Sequence, residues 1–177
     1  MADSTASPAQ FPGSPSAPVR VLHPGDVALA FEGERLSTLL GSCVSVILTD
    51  PRRTVAAMCH IVHSGAPGLS SRGDTAFAVY AMQEMFTQLR TIGITPQLCH
   101  AFVFGGGNMF PGLIHRQHVG ASNVAWVDNF LRAHGIELVD ASTGGEGYRK
   151  ICWTVGVDPM VVEYAGSAIN GEQHKGF

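Results

Sequence analysis

The sequence predicts a single α+β domain in which mixed β-sheets are covered by helices. Two observations favour this fold class. Apolar segments with the character of strands outnumber segments with helical spacing, and several predicted strands follow one another across short turns. A doubly wound parallel sheet would instead alternate strands and helices along the chain. The chain has 177 residues, 45% of them hydrophobic and 14% charged, which suits one domain with a buried core.

The folded domain is expected to span residues 20–165. Residues 1–19 are rich in Ser, Pro and Ala, and residues 166–177 are mostly small and polar. Such segments bury too little apolar surface to offset the entropy lost on ordering. Both are therefore predicted to be flexible tails.

The first half of the domain is predicted to contain two strands and a helix. A short apolar stretch from Leu36 to Leu40 ends at a small-residue turn, and a strand follows that stops at Asp50-Pro51. In the second strand the alternation places His60 and Cys59 on opposite faces. Asp74 is the expected N-cap of the helix. The predicted elements are strands over 44–49 and 55–62 and a helix over 74–90.

The second half is predicted to begin with a strand that runs into three glycines. A helix capped by Ser122 follows and ends near Gly135, and the domain closes with a hairpin. The predicted elements are strands over 98–104 and 136–139, a helix over 122–133, and hairpin strands over 150–155 and 160–164.

Composition excludes several function classes. The 11 basic and 14 acidic residues give a net charge of −3 without a basic stripe, so no nucleic-acid partner is expected. Membrane insertion is not expected, since no apolar run is long enough to span a bilayer. The N-terminus lacks the pattern of a secretory signal, which favours a cytoplasmic location and reduced cysteines. The absence of an apolar heptad favours a monomer.

Cys43 is the first candidate for chemistry. It follows Gly41 and Ser42 at the start of a predicted strand. A turn of small residues lets a substrate carbonyl approach closely and leaves backbone N–H groups free to bind an oxyanion. The alternative is a buried structural cysteine, which is the more common fate of a free cysteine.

His60 is the second candidate. It lies near the end of the next strand, so an antiparallel pairing would bring it beside Cys43. A histidine within hydrogen-bond reach turns a thiol into a useful nucleophile at neutral pH. A hydroxyl from Ser37 or Thr38 could orient the far nitrogen of the imidazole. The alternatives are a histidine bonded to the backbone and two ordinary strand hydroxyls.

The loop of Gly105, Gly106 and Gly107 does not have the spacing of a nucleotide-binding motif. It fits better beside a site for a protein substrate, or as a tight turn with close backbone packing. A metal site is not expected either. The nearby cysteines and histidines match no zinc pattern, and neighbouring Cys59 and His60 point in opposite directions.

Several motifs of the chain resemble the chemoreceptor glutamine deamidase family, CheD. The most specific are LLGSCVSVIL, which contains Cys43, and MCHIVH, which places His60 seventeen residues later. The resemblance extends over about residues 22–164 and includes FVFGGGNMF, the Gly-x-x-Asn-Val helix in GASNV, and GGEGYRKI. Two positions depart from the family pattern. Ser37 stands where the family has threonine, and Tyr148 stands where it has glycine.

The resemblance implies a four-layer α/β/β/α mixed-sheet sandwich, similar to the cysteine deamidases of the cytotoxic necrotising factor type. It implies hydrolysis of glutamine side chains on methyl-accepting chemotaxis receptors, with Cys43 as nucleophile, His60 as base and Ser37 as the orienting hydroxyl, or Thr38 if the register shifts. The residues expected to contact substrate are Gly41, Ser42, Thr38, Gly105 and Gly106. No cofactor is expected.

The resemblance also implies possible docking to a CheC-type phosphatase. Two other functions stay open: a non-catalytic binding module for such a phosphatase or for a receptor, and a different cysteine hydrolase with transglutaminase-like or methylesterase activity.

Overall fold

The computed structural model describes residues 18–112, 118–157 and 160–165. Both predicted tails, apart from residues 18 and 19, lie outside these residues, as do residues 158 and 159 of the predicted hairpin turn. The described part contains strands β1 (Val19–Leu22), β2 (Val27–Phe31), β3 (Arg35–Leu40), β4 (Val44–Thr49), β5 (Val55–Ile61), β6 (His100–Gly105), β7 (Glu137–Thr143), β8 (Tyr148–Thr154) and β9 (Val161–Ala165), with helices α1 (Ala78–Thr91) and α2 (Val119–Ala133). Two short 3₁₀ helices span Leu69–Ser71 and Pro96–Leu98.

The strands form two mixed sheets. One sheet has four strands in the order β1-β3-β8-β9, and the other has five in the order β2-β5-β4-β6-β7. The pairs β1–β3 and β6–β7 are parallel, and the other pairs are antiparallel. The α+β class and the mixed sheets predicted from the sequence are therefore confirmed.

The two sheets pack face to face, and both helices lie on one side of the pair. One apolar core joins α1 and α2 to the outer face of the five-stranded sheet. A second core fills the space between the sheets and is built around residues such as Leu40, Ile47, Met58 and Trp153. The described residues thus form three layers, α/β/β. The fourth, helical layer that the resemblance implied is not found among them, because neither α-helix packs on the four-stranded sheet.

The hairpin of β4 and β5 is the central pair of the five-stranded sheet, and both strands match their prediction. The register pairs Val44 with Ile61 and Ser45 with His60. At the closed end, the Asp50 carboxylate accepts hydrogen bonds from the backbone N–H groups of Thr54 (2.7 Å) and Val55 (2.9 Å). A turn held in this way fixes the register of the two strands.

The predicted starts of both helices were wrong. Asp74 accepts a hydrogen bond from the Ala76 N–H (2.9 Å) in a separate turn, and α1 begins only at Ala78. The second helix begins earlier than expected, with His118 as its N-cap, because the His118 Nδ1 accepts from the Ala121 N–H (3.2 Å). Ser122 consequently lies inside α2.

None of the helices in the described segments is long and apolar enough to cross a membrane.

Candidate active site

Cys43 and His60 lie at the open end of the β4–β5 pair. Ser45 on β4 is directly opposite His60 on β5. Cys43 is two residues before Ser45, immediately before the first residue of β4. Side chains alternate along a strand, so these three residues point to the same face, towards the space between the sheets. Cys43 packs against the core that fills this space. Cys43 and His60 are thus diagonal neighbours on this face.

A hydroxyl of the facing sheet orients the His60 ring. The Thr38 Oγ1 is 2.9 Å from the His60 Nδ1 and donates its own proton to the Leu22 carbonyl (2.9 Å). Because a hydroxyl has one proton, Thr38 must accept from the imidazole. The Leu22 carbonyl, 3.5 Å from the same Nδ1, can only accept as well. We therefore assign the tautomer with the proton on Nδ1.

This tautomer leaves the His60 Nε2 with a free lone pair. The side chain is buried, with 3% exposure, and Nε2 has no hydrogen-bond partner among the residues described. A buried nitrogen without a partner lowers stability, so its presence calls for an explanation. With the proton on Nδ1, this nitrogen can accept a hydrogen bond.

Burial keeps both groups neutral. Desolvation lowers the pKa of His60, and the Leu22 carbonyl and the charge of Asp26 oppose this shift without cancelling it. Burial raises the pKa of the half-buried Cys43 thiol. Both shifts favour a neutral thiol and a neutral imidazole at pH 7.

Ser37 does not contact His60. Its side chain lies on the opposite face of β3 from Thr38, and its hydroxyl donates to the Ile151 carbonyl (2.8 Å). The expectation that Ser37 orients the imidazole is thus corrected: the hydroxyl in that place belongs to Thr38, which the sequence analysis had as the alternative and as a substrate contact.

Three successive carbonyls hold the turn that carries Cys43. The Gly41 carbonyl accepts from the Gly107 N–H (2.8 Å), and the Cys43 carbonyl accepts from the Gly106 N–H (2.8 Å). The Ser42 carbonyl between them accepts from the Asn123 Nδ2 (3.3 Å). The glycine loop predicted to lie beside the site thus supports the cysteine turn directly.

Glycine is required in this loop for steric reasons. A Cβ atom at Gly105, where φ is +105°, would overlap the Cys43 carbonyl oxygen. On the other side of the turn, a Cβ atom at Gly41 would stand 3.1 Å from the Met109 sulfur and 3.4 Å from the Tyr148 ring. Tyr148, one of the two departures from the family pattern, is therefore a half-exposed aromatic wall next to Gly41.

Two polar residues of the site were not among the predicted site residues, although Asn123 is the asparagine of the Gly-x-x-Asn-Val motif. Ser45 is fully buried opposite His60, and its hydroxyl has no partner in the described segments. Asn123 is fully buried on α2 and bonds the cysteine turn. The sequence carried a signal for Asn123, since it shares one face of α2 with the apolar Val127 and Leu131.

The other cysteine near the site differs from Cys43 in its surroundings. Cys59 points to the helix side of the sheet, is fully buried, and has its pKa raised to about 12 by burial. No group of three or more His, Cys, Asp or Glu side chains in the described segments is arranged to hold a metal ion. A cleft of about 410 Å³ between α2 and β7 reaches Gly106 but is lined by neither Cys43 nor His60.

The fold and the site define a two-sheet α+β protein with a cysteine and a histidine at one open strand end. Residues 63–162 match the family model described as CheD chemotactic sensory transduction. The chain belongs to the CheD family. This match begins three residues after His60. The similarity to individual relatives covers a larger part of the chain, up to 76% in the first example below.

Three relatives show the extent of this similarity. A protein of Albidiferax ferrireducens, named "Probable chemoreceptor glutamine deamidase CheD 2", is 36% identical over 76% of this chain and 80% of its own length. "Probable chemoreceptor glutamine deamidase CheD" of Pseudomonas savastanoi is 34% identical over 74% of this chain and 76% of its own. The Caulobacter protein of that name is 36% identical over 66% of this chain and 61% of its own.

Among solved structures, a Neisseria meningitidis protein of the DUF152 family aligns with a TM-score of 0.41 and 13% identity. The alignment covers 68% of this chain and 53% of that protein, so this chain spans about half of its length.

Proposed function

We propose that this protein is a chemoreceptor glutamine deamidase that hydrolyses glutamine side chains of methyl-accepting chemotaxis receptors to glutamate and ammonia. The observation that carries the proposal is the His60 imidazole, fixed by Thr38 with an unpartnered Nε2, beside Cys43 at the open end of one strand pair. The names of the relatives supply the substrate class.

The first half of the reaction forms a thioester. As the Cys43 sulfur attacks the carboxamide carbon, its proton passes to the His60 Nε2. The negative charge moves to the carboxamide oxygen. Within the described residues the Cys43 N–H donates to no backbone carbonyl, which makes it our choice for an oxyanion donor worth about 3 kcal/mol. His60 then returns the proton to the amide nitrogen, and ammonia leaves.

The second half hydrolyses the thioester. The His60 Nε2, again unprotonated, removes a proton from water as its oxygen attacks the thioester carbon. The carbon–sulfur bond breaks, the thiol regains a proton from His60, and glutamate is released. Throughout both halves, Thr38 accepts the Nδ1–H and keeps the ring in one tautomer.

The contacts around the turn support the remaining roles in this proposal. Gly41 and Ser42 carry Cys43 to the mouth of the site, and Gly105 and Gly106 support it from behind. We place the protein in the cytoplasm, because the mechanism needs a reduced thiol. A CheC-type phosphatase stays a proposed second partner.

Mass spectrometry of a receptor incubated with the purified full-length protein tests the proposal. Deamidation is expected to add about one dalton to receptor glutamines and to release ammonia, and Cys43→Ala should abolish both. Cys152→Ala is the matched control, since Cys152 lies on β8 away from the cysteine turn and should leave the activity unchanged.

Three results would overturn the proposal: full activity of the Cys43→Ala variant, a receptor crosslink to an added amine in place of deamidation, or release of methanol without ammonia. The last two would identify the transglutaminase-like and methylesterase alternatives. Receptor binding without any change in mass would identify the binding module.

A further inference from the structure

The backbone pairing of β4 and β5 includes His60 and stops one residue short of Cys43. The last pair in the register is Val44 with Ile61. Among the described residues no further β4–β5 pair follows, and the next residues are Cys43 on one strand and Val62 on the other. Each end is held to other elements, since the Cys43 carbonyl accepts from the Gly106 N–H (2.8 Å) and the Val62 N–H donates to the Ala76 carbonyl (2.9 Å), and these bonds do not join the two ends to each other.

One side chain joins these two ends. The Asn123 Nδ2 donates to the Val62 carbonyl (3.0 Å) and to the Ser42 carbonyl (3.3 Å). Ser42 immediately precedes Cys43, and Val62 lies two residues after His60. An amide nitrogen has two protons, so it can supply one to each carbonyl and take the place of the missing ladder rung.

Asn123 is well placed to act as a fixed support. It is 0% exposed, and its helix packs against the core on the outer face of the five-stranded sheet. The first turn of α2 also approaches the glycine loop closely, because a Cβ atom at Gly120 would overlap the backbone of Gly106. The helix, the loop and the cysteine turn are therefore in close contact with one another.

The separation of the thiol and the imidazole needs such a support. The His60 Nε2 has no hydrogen-bond partner among the described residues, so no direct bond holds Cys43 in place. Both groups are neutral, so no ion pair holds it either. With the His60 ring fixed by Thr38, the backbone of the cysteine turn sets the distance over which the proton must pass.

We propose that Asn123 is a positioning residue that sets the separation of Cys43 and His60 by bridging the two strand ends. The activity readout of this inference rests on the proposed deamidase function, whereas its thiol readout does not. The two hydrogen bonds of Asn123 also contribute to stability, since an apolar side chain would leave the Ser42 and Val62 carbonyls without this donor. A positioning role therefore has to be tested by readouts that a loss of stability does not change.

The first test compares Asn123→Leu with Val127→Ala. Leucine has a similar volume and no donor. Val127 lies one turn further along α2 in the same core and bonds neither carbonyl, so its truncation controls for lost stability. Both variants are assayed at a temperature at which each is fully folded. Asn123→Leu should lower kcat by roughly 10- to 100-fold with KM nearly unchanged. Val127→Ala should leave kcat within about twofold of the wild-type value. Equal kcat values in the two variants would overturn the inference.

The second test measures alkylation of Cys43 by iodoacetamide at pH 7 in four proteins: wild type, His60→Ala, Asn123→Leu and the double variant. If Asn123 acts by positioning, the loss of His60 should slow alkylation roughly tenfold or more in the wild-type background and by less than about twofold in the Asn123→Leu background. Additive effects of the two substitutions would contradict the positioning role. A wild-type protein that shows this coupling but deamidates no receptor would overturn the proposed function and leave this inference intact.

Discussion

The two ends of the β4–β5 hairpin are built from the same strands in opposite ways. At the closed end, the Asp50 carboxylate accepts two backbone N–H groups and the Thr54 hydroxyl (3.1 Å). At the open end, the described residues include three buried polar atoms without a partner: the His60 Nε2, the Ser45 Oγ and the Asn123 Oδ1. The closed end therefore stabilises the fold, whereas the open end gives up stability to keep polar groups available.

The largest effect is expected at the open end, from Thr38→Val. Valine has the shape of threonine without the hydroxyl, so the His60 Nδ1 loses its main acceptor and the tautomer is no longer fixed. We expect kcat for deamidation to fall by roughly 10- to 100-fold, with little change in KM.

Ser37→Ala is the matched control for Thr38→Val. It removes the neighbouring hydroxyl, which donates to the Ile151 carbonyl and does not contact His60. The substitution should lower the free energy of unfolding by about 1 kcal/mol and leave kcat unchanged. A loss of kcat in Ser37→Ala with none in Thr38→Val would restore Ser37 as the orienting residue.

The sequence pattern did not determine which of Ser37 and Thr38 contacts His60. A shift of one residue along a strand moves a side chain to the opposite face. Three successive residues of β3 are buried: Leu36, Ser37 and Thr38. The alternation of apolar and polar residues therefore does not show which of these side chains points towards His60. The β4 and β5 strands could be predicted because a turn signal separates them, and their order placed Cys43 near His60 without further information.

Other features depended on contacts between distant residues. Three of the four residues of β1 are exposed, so the strand lacks a pattern of its own and forms by pairing with β3. The sequence showed two amphipathic helices but not which sheet they cover, and both pack on the same one. Asp74 looked like a helix cap because it has the right side chain, yet its hydrogen bonds close the turn that precedes α1.

A smaller effect, on stability alone, is expected at the closed end from Asp50→Ala. Loss of the carboxylate leaves the N–H groups of Thr54 and Val55 without their acceptor, which should lower the free energy of unfolding by about 1–3 kcal/mol at pH 7. Because the turn is remote from Cys43, kcat should not change. Urea unfolding together with the ammonia assay measures both quantities, and a fall in kcat that exceeds the fraction unfolded would contradict the separation of the two ends.

The contribution of Asp50 also has a defined pH dependence. Burial raises the pKa of its carboxyl, but the hydrogen bonds from Val55 and Thr54 outweigh burial, so the net pKa lies below the ordinary value. A carboxyl with a lowered pKa in the folded state stabilises the fold above its unfolded pKa, about 3.9, and loses this effect as the pH falls through the folded value. The stability difference between wild type and Asp50→Ala should therefore shrink only below about pH 4.

The smallest effect concerns the position of the acid limb of activity, which belongs to the open end. The proposed base works only when His60 is neutral, and burial lowers the pKa of His60 below its ordinary 6.5. The plot of kcat/KM against pH should thus have its acid midpoint below 6.5 and a plateau through pH 7.

Burial raises the pKa of Cys43 above the ordinary thiol value of 9.0. In the His60→Ala variant, the rate of alkylation by iodoacetamide should therefore rise with a midpoint above pH 9. An acid midpoint above 6.5 would mean that the charged imidazole is stabilised by a Cys43 thiolate, and the two groups would then be an ion pair before substrate binds.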